Sequence, residues 1–429
     1  MAYHPRENWD PARRRVYTRR DFLQRAAVLG IVAPALPSIL AGCMQREGDA
    51  VADLAVGTPA SPAQQPLFED NPAIASGLEP EAGPLKLYNW EDYINPEILP
   101  LASEALGVEI QETTFLNEEA ALGVLSSGEV QYDVWFPTSQ RVPVAVAAQF
   151  VQPLNHDYLP NLQANVWPQL ADPYYDKGSR YSVPYVNYTT GIGYRVDLAD
   201  EADIAGQSNP WEIFWNPKYA GRIGVLDSFT DTVAMALFRN GVDDPSAATE
   251  KELEEAGDAL LEALDLTDIR PSIDGSYSGI PEGRFAIHHA WSGDLVNSAY
   301  YWPNNEDLGT ARYLWPAKSA GSNVHGPISN DTMAVLKGSE RPVLAHNFIN
   351  FMLDADNALT NFEYLGYQPP QNDMTPDSLV ENEYVAEALR SALVVPEDFE
   401  LSTAWVQGPL DPATEALWND QWTRYNSGG

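Results

Sequence analysis

The chain runs to 429 residues, with 61 Asp+Glu against 25 Lys+Arg, a formal charge of −36 and one cysteine, Cys43. That length supplies two to three ordinary domains, each able to bury its own core, while a single thiol excludes disulfide staples and a multi-thiolate zinc site. So acidic a surface offers nucleic acid no basic patch, disfavours docking on anionic membranes, and attracts cationic ligands.

At the N-terminus, Thr18-Arg19-Arg20-Asp21-Phe22-Leu23-Gln24 leads into an apolar stretch from Ala26 to Ala41 that ends Leu40-Ala41-Gly42-Cys43. About 16 apolar-biased residues, broken by Pro34 and Pro37, make an export signal and a poor permanent membrane span. The paired arginines resemble a twin-arginine signal, and Leu-Ala-Gly-Cys resembles the lipobox of bacterial lipoproteins. Residues 1–43 are therefore expected to be a signal peptide with lipobox. Cys43 would be the lipid-bearing first residue of a periplasmic or cell-surface protein anchored to the membrane. Residues 1–42 carry seven Arg and three acids, so without them 58 acids face 18 bases. Such a surface stays hydrated where salt screens its self-repulsion. Residues 44–84 are rich in Ala, Pro, Gly and acids without apolar periodicity, and are expected to form a flexible tether.

Folded structure is expected from residue 85. Strands are predicted over 85–88, 108–115 and 132–136, with helices over 96–106 and 118–127 between them and another beginning near Gln140. This β-α-β-α-β rhythm is the mark of a parallel α/β sheet. Later strands are predicted over 181–186, 191–196, 222–226, 285–291, 311–315 and 332–336. Helices are predicted over 232–240, 250–264 and 342–365, the last with Pro342 in its first turn. His288 and His289 are adjacent in a predicted strand, so they point to opposite faces and do not chelate one ion together. There is no nucleophile elbow, phosphate-binding glycine loop or His-x-x-x-His pair.

The chemistry-bearing pattern is a repeated pairing of aromatics with acids. Trp90-Glu91-Asp92-Tyr93 and Trp291-Ser292-Gly293-Asp294 each lie just past a predicted strand. Asp227 and Asp231 follow the strand ending at Leu226, and Ser329-Asn330-Asp331 precedes the strand at 332–336. Ligands of open α/β sheets sit outside the carboxyl ends of strands. An organic ammonium there needs carboxylates to offset its desolvation, and the methylenes between ammonium groups want aromatic walls. Carboxylates spaced along an aromatic trough would measure the charge and length of a linear amine. Taken alone, an acid after a strand is usually a helix cap, and for Asp231 by itself the cap is the favoured reading.

Leu87-Tyr88-Asn89-Trp90-Glu91-Asp92-Tyr93 resembles the opening of the polyamine-binding proteins of spermidine/putrescine ABC importers. Further matches follow in order: Tyr132-Asp133-Val134 with Pro137-Thr138, Val183-Pro184-Tyr185, Trp215-Asn216-Pro217-Lys218-Tyr219-Ala220-Gly221, Glu282-Gly283, Trp291-Ser292-Gly293-Asp294, Phe348-Ile349-Asn350-Phe351-Met352-Leu353 and Leu365-Gly366-Tyr367. The resemblance spans about residues 85–425. It implies an α/β, two-lobed periplasmic-binding-protein fold of type II, each lobe a sheet flanked by helices and joined by hinge crossovers. Lobe one would comprise 85–188 and 330–379, and lobe two 189–329 and 380–425, closing on ligand like a clamp. By the same resemblance Trp90 and Trp291 are the walls around the methylene chain, with Tyr93 and Tyr367 adding wall and hydroxyl contacts. Asp92, Asp231, Asp294 and Asp331 hold the ammonium groups, Thr138 stands at a ligand-contacting serine, and Gln407 matches a terminal glutamine contact. Four positions depart from the family: Glu91 for Ser or Thr, adding a charge at the cleft, Gln140 and Ser329 for aromatics, and Ser228 for an Asp of spermidine-type members. The acid pattern leans towards the putrescine type.

The implied protein is a non-catalytic, cofactor-free and metal-free monomer that delivers a polyamine to membrane permease subunits with a cytoplasmic ATPase. Two other readings fit parts of the pattern. Tyr174-Tyr175 and Tyr300-Tyr301 resemble the adjacent tyrosines of ferric-iron receptors of the same fold, and two cleft carboxylates would suit a hydrolase.

Overall fold

The computed structural model describes residues 55–128, 130–302, 308–319, 323–410 and 412–428. The expected signal peptide, Cys43, and residues 44–54 of the expected tether lie outside the described residues. No helix among the described residues is long and apolar enough to cross a membrane.

Among those residues ten strands form one continuous sheet. In chain order they are β1 (Leu85–Trp90), β2 (Ile110–Phe115), β3 (Val134–Trp135), β4 (Val183–Arg195), β5 (Ile223–Val225), β6 (Arg270–Pro271), β7 (Ile287–Trp291), β8 (Ala311–Leu314), β9 (Gly326–Val335) and β10 (Ala404–Val406). The spatial order is β2-β1-β3-β9-β4-β7-β5-β6, with β10 beside β9 and β8 beside β4. In the first half β1 pairs in parallel with β2 and β3, and the helices Ile98–Leu106 and Glu118–Ser127 fill the crossovers as the alternating pattern predicts. In the second half β7 and β6 run parallel to β5. Leu85, Leu87, Val134 and Trp135 are fully buried, as suits strands covered on both faces.

Two strands join the halves. The expected strands at 181–186 and 191–196 are one thirteen-residue strand, β4. Its first part pairs with β9 from Val183–Met333 to Thr189–Ile328, and its second part pairs with β7 from Thr190–Trp291 to Tyr194–Ile287. The polar run Asn187–Tyr188–Thr189–Thr190 reads as a break in sequence, yet its backbone is in the ladder. β9 likewise begins at Gly326 rather than 332, so Ser329, Asn330 and Asp331 lie inside a strand instead of before one, and all ten of its residues are buried. The helix expected over 342–365 is two helices, Pro342–Met352 and Ala355–Leu365. Asp354 ends the first and caps the second by accepting from the backbone N–H of Asp356 and Asn357. His288 and His289 do face apart, one ring against Phe285 and the other against Trp211 and Phe214. Burial holds both well below the usual imidazole range, at about 4 and about 3.

Residues 55–84 are a correction to the expected tether, because they are fastened along the first half. Gln65, 1% exposed, donates its amide to the carbonyls of Ala55 and Tyr175 at 2.9 and 2.7 Å. Asn71 donates to Val151 O at 2.9 Å, and Tyr181 donates to Pro66 O at 2.6 Å. Polar bonds rather than a core order this strap, and apolar periodicity does not reveal such bonds. Its far end does a capping residue's work. Arg341 precedes the helix Pro342–Met352 without a side-chain cap, and Glu81 accepts from the N–H groups of Val343 and Leu344 at 3.2 and 3.0 Å. Glu81→Ala should lower stability by about 1 kcal/mol, the usual worth of an N-cap. A denaturation midpoint equal to that of the wild type would show that the strap end is idle.

Candidate functional site

The site grows from the alternation of β4. Tyr188 and Thr190 are two apart, so their side chains share a face, about 7 Å apart along the strand. Tyr188 donates to Asp331 Oδ1 at 3.4 Å, and Thr190 donates to Asp231 Oδ1 at 3.0 Å. β4 thus spaces two carboxylates that come from opposite halves of the sheet.

Asp331 sits in the middle of β9 between Val186 of β4 and Thr138, which bridges to it from the other side. It is 4% exposed and accepts the Tyr93 hydroxyl at 2.6 Å on Oδ2. Tyr93 is fixed from behind: Tyr185 donates to its carbonyl at 2.6 Å, and Asn361 donates to the Tyr185 hydroxyl at 2.9 Å. Asp231 stands three residues after Ser228, the N-cap of the helix Phe229–Arg239, so Ser228 and not Asp231 is the cap. Ser228 also donates to Asp231 Oδ2 at 2.6 Å, and the Trp291 indole N–H points to Oδ1 at 3.4 Å. Asp294 lies in the first turn of the helix Ser292–Asn297, just past β7, and is 6% exposed. It accepts Ser276 at 2.6 Å and the Tyr367 hydroxyl at 2.8 Å.

Tyr367 links the groups. Its ring lies 5.5 Å from those of both Tyr93 and Tyr188, edge-on to each. Pairing of Gln368 with Asn187 of β4 sets its place. Its ring also lies flat on Gly293, where a Cβ would overlap it, and a Cβ on Gly366 would meet Gly293 O and Asn297 N at 2.6 Å. Only glycine at both positions allows this approach. Here the Gly of Trp291-Ser292-Gly293-Asp294 has a steric cause.

Burial raises all three carboxyls, and the hydroxyl and indole donors only partly oppose it. Asp331 is pushed up to about 7, with Glu118 adding repulsion, and Asp294 to about 6, with Asp231 adding repulsion. Asp231 is also raised. No Lys, Arg or His among the described residues pairs with any of the three. The tyrosines around them are driven well above the usual phenol range by burial, so they act here as donors.

Of the residues singled out in sequence, Tyr93, Thr138, Asp231, Trp291, Asp294, Asp331 and Tyr367 are brought together. Trp90 ends β1, half-buried, with its indole N–H on Phe136 O at 2.9 Å and its ring 4.6 Å from Phe115. Glu91 is partly buried. Asp92 is exposed on a left-handed turn at φ 55°, outside the hydrogen-bonded group. Gln407 lies one residue past the Val406–Ile328 pair. Sequence reasoning missed Tyr188, Thr190, Ser276 and Glu118. The first two carried a signal, polar side chains within a strand buried on both faces. Tyr174 and Tyr175 are ring neighbours at 5.1 Å, and Tyr175 accepts from Asn330, while the described residues contain no group of three His, Cys, Asp or Glu able to hold a metal.

The family model for bacterial extracellular solute-binding proteins matches residues 103–387. A putrescine/agmatine-binding protein of Pseudomonas aeruginosa is 30% identical over 312 residues, covering 69% of this chain and 80% of that protein. The putrescine-binding periplasmic protein PotF of Escherichia coli is 25% identical over 374 residues, covering 83% and 95%. Among solved structures, the spermidine/putrescine ABC transporter substrate-binding protein PotD of Streptococcus pneumoniae superposes with a TM-score of 0.63 at 24% identity, covering 80% of this chain and 98% of that one. A putative spermidine/putrescine ABC transporter protein from Listeria monocytogenes gives 0.65 at 22%, with the same coverage. The fold is shared.

A carboxyl raised on folding contributes stability that is full below its unfolded pKa and lost as pH climbs through its folded one. Asp331 and Asp294 should therefore make the ligand-free protein less stable between about pH 4 and the values near 7 and 6. Asp331→Asn removes the larger part: it should raise stability by on the order of 2–4 kcal/mol at pH 8 and by less at pH 5. Chemical denaturation at the two pH values reads this. Equal effects, or a loss at pH 8, would contradict the buried-charge account.

Proposed function

The chain belongs to the bacterial extracellular solute-binding proteins, and from that premise we propose that it captures a short polyamine, of the putrescine type, between the two halves of its sheet. The two halves act as the lobes, 85–188 with 330–379 and 189–329 with 380–425. The bound amine passes to the permease subunits of an ABC importer. One observation carries this reading: Asp231, Asp294 and Asp331 are withdrawn from water with hydroxyl and indole donors but no protein cation among the described residues. Such a row is costly alone and is relieved by ammonium groups. The roughly 7 Å that β4 sets between the Asp331 and Asp231 partners suits a linear diamine, and Trp291 with Tyr93, Tyr188 and Tyr367 supplies walls for its methylenes. The relatives named for putrescine support the same ligand class. Trp90, Glu91, Asp92 and Gln407 form the rim of this site, and Thr138 stands beside Asp331. The protein works without catalysis, metal or cofactor, as a monomer. It is exported through the twin-arginine route and held at the membrane by a lipid on Cys43.

Trp291→Ala and Asp294→Asn should each weaken putrescine binding by about 1–3 kcal/mol. Because a bound ammonium favours the ionised carboxyls, affinity should rise with pH through the window from about 6 to about 7 set by Asp294 and Asp331, and capture there should release protons. Calorimetric titration in buffers of different ionisation heat measures both. Wild-type affinity in both variants together with a flat pH profile would remove the site from consideration.

A further inference from the structure

Thr138 bridges to Asp331, and its own backbone N–H and hydroxyl are both taken by Glu118, at 2.9 and 2.8 Å. Glu118 opens the helix Glu118–Ser127, is 5% exposed, and places a fourth carboxylate at the Asp331 end of the acid row. The reach is electrostatic as well as geometric, since Glu118 repels the charge on Asp331 and opposes ionisation of Tyr188.

Glu118 differs from the other three acids in facing a protein cation. Arg141 Nε lies 3.4 Å from Glu118 Oε2, and its Nη2 lies 3.5 Å from Glu415 Oε1, the three side chains being 12%, 7% and 16% exposed. Glu415 belongs to the helix Pro412–Ser427, which packs on the helices Glu250–Thr267 and Phe229–Arg239 of the second half. The guanidinium therefore stands between a carboxylate of each half. It stays charged at any working pH and holds carboxylates through a rigid fork. At this end of the row the negative charge is already answered by the chain itself.

We propose that Arg141 is a specificity-determining residue that sets ligand length: its guanidinium fills, beyond Asp331, the place that the third ammonium of a longer amine would need. The proposal rests on the reading of the row as an amine site. Three carboxylates remain for the ligand, enough for a diamine. A further ammonium approaching Glu118 would meet a like charge in a poorly solvated place, and rejection of the wrong ligand comes from that repulsion.

The test is titration of wild type, Arg141→Met, Arg141→Lys and the Glu118→Gln/Arg141→Met double variant with putrescine and spermidine. Wild type should prefer putrescine. Arg141→Met should move the affinity ratio towards spermidine by about tenfold, the effect of roughly 1.4 kcal/mol. Arg141→Lys should keep the wild-type ratio, and the double variant should lose the gain because the freed carboxylate is gone. A clamp with only a structural role would weaken both amines alike. If wild type binds putrescine and Arg141→Met leaves the ratio unmoved, or if wild type prefers spermidine, the length-setting role is refuted. If wild type binds neither amine, the amine reading itself fails, which is a separate result.

Discussion

A carboxylate taken out of water gives up hydration worth several kcal/mol, and hydrogen bonds from neutral donors restore only part of it. At Asp331, Asp294 and Asp231 the donors are tyrosine, serine and threonine hydroxyls and one indole, and the balance still lies on the side of the neutral acid. Elsewhere the chain answers acids with its own cations: Arg195 takes Asp197, Arg390 takes Glu387, and Lys318 takes the buried Asp398. The row is set apart by clustering, since a lone buried acid such as Asp176 is answered by the backbone N–H groups of Tyr181 and Ser182 and by the Ser182 hydroxyl. In a protein with so few basic residues, carboxyls left to an outside cation would make that cation part of the electrostatic structure, and stability and binding would become two readings of one charge balance.

The sheet turns this balance into a ruler. Asp331 is held within β9, and its partner Tyr188 and the Asp231 partner Thr190 are alternate residues of β4, so the backbone spacing of the two donors is a strand repeat rather than a loop conformation. The two strands that hold Asp331 and the donors Tyr188 and Thr190 are the same two that join the halves. Displacement of one half relative to the other must act through β4 and β9, and Tyr367, pressed on Gly293 and bonded to Asp294, reports the second half to the tyrosines of the first. Site geometry and relative placement of the halves are thus coupled by construction.

Much of this was legible in the residues. The β-α-β alternation of the first half, the helix Glu118–Ser127 and the position of Trp291 and Asp294 at the end of β7 follow from periodicity and from motif. What escaped has common causes. The polarity of Asn187 to Thr190 interrupts the strand pattern in sequence, while in the structure it serves the site and the backbone stays in the ladder. The polar Ser329-Asn330-Asp331 likewise hides the first part of β9. Asp92 shares the motif with Trp90, but a left-handed backbone leaves it exposed while Tyr93 reaches Asp331. The strap from 55 to 84 has too few apolar residues to signal order, and Gln65, Asn71 and Glu81 hold it through partners 80 or more residues away that no local pattern can announce.

Net charge and discrimination operate at different ranges here. A surface near −36 draws any cation towards the protein, but that field falls off within a Debye length of about 8–10 Å in ordinary salt and is blind to how many methylenes separate two nitrogens. Selection has to come from contrast within a few ångströms, between acids left open and acids already satisfied. Glu118 is the acid that supplies the contrast. Were its guanidinium partner absent, the row would simply continue, and each added carboxylate would widen the range of amines accepted. With Arg141 set between Glu118 and Glu415, the row ends at Asp331, at the margin where the two halves of the sheet face each other. A site that reads length needs such an end, and an ion pair makes a firmer one than an apolar wall, because a longer amine can slide along a wall but cannot share a carboxylate with a guanidinium without like-charge repulsion.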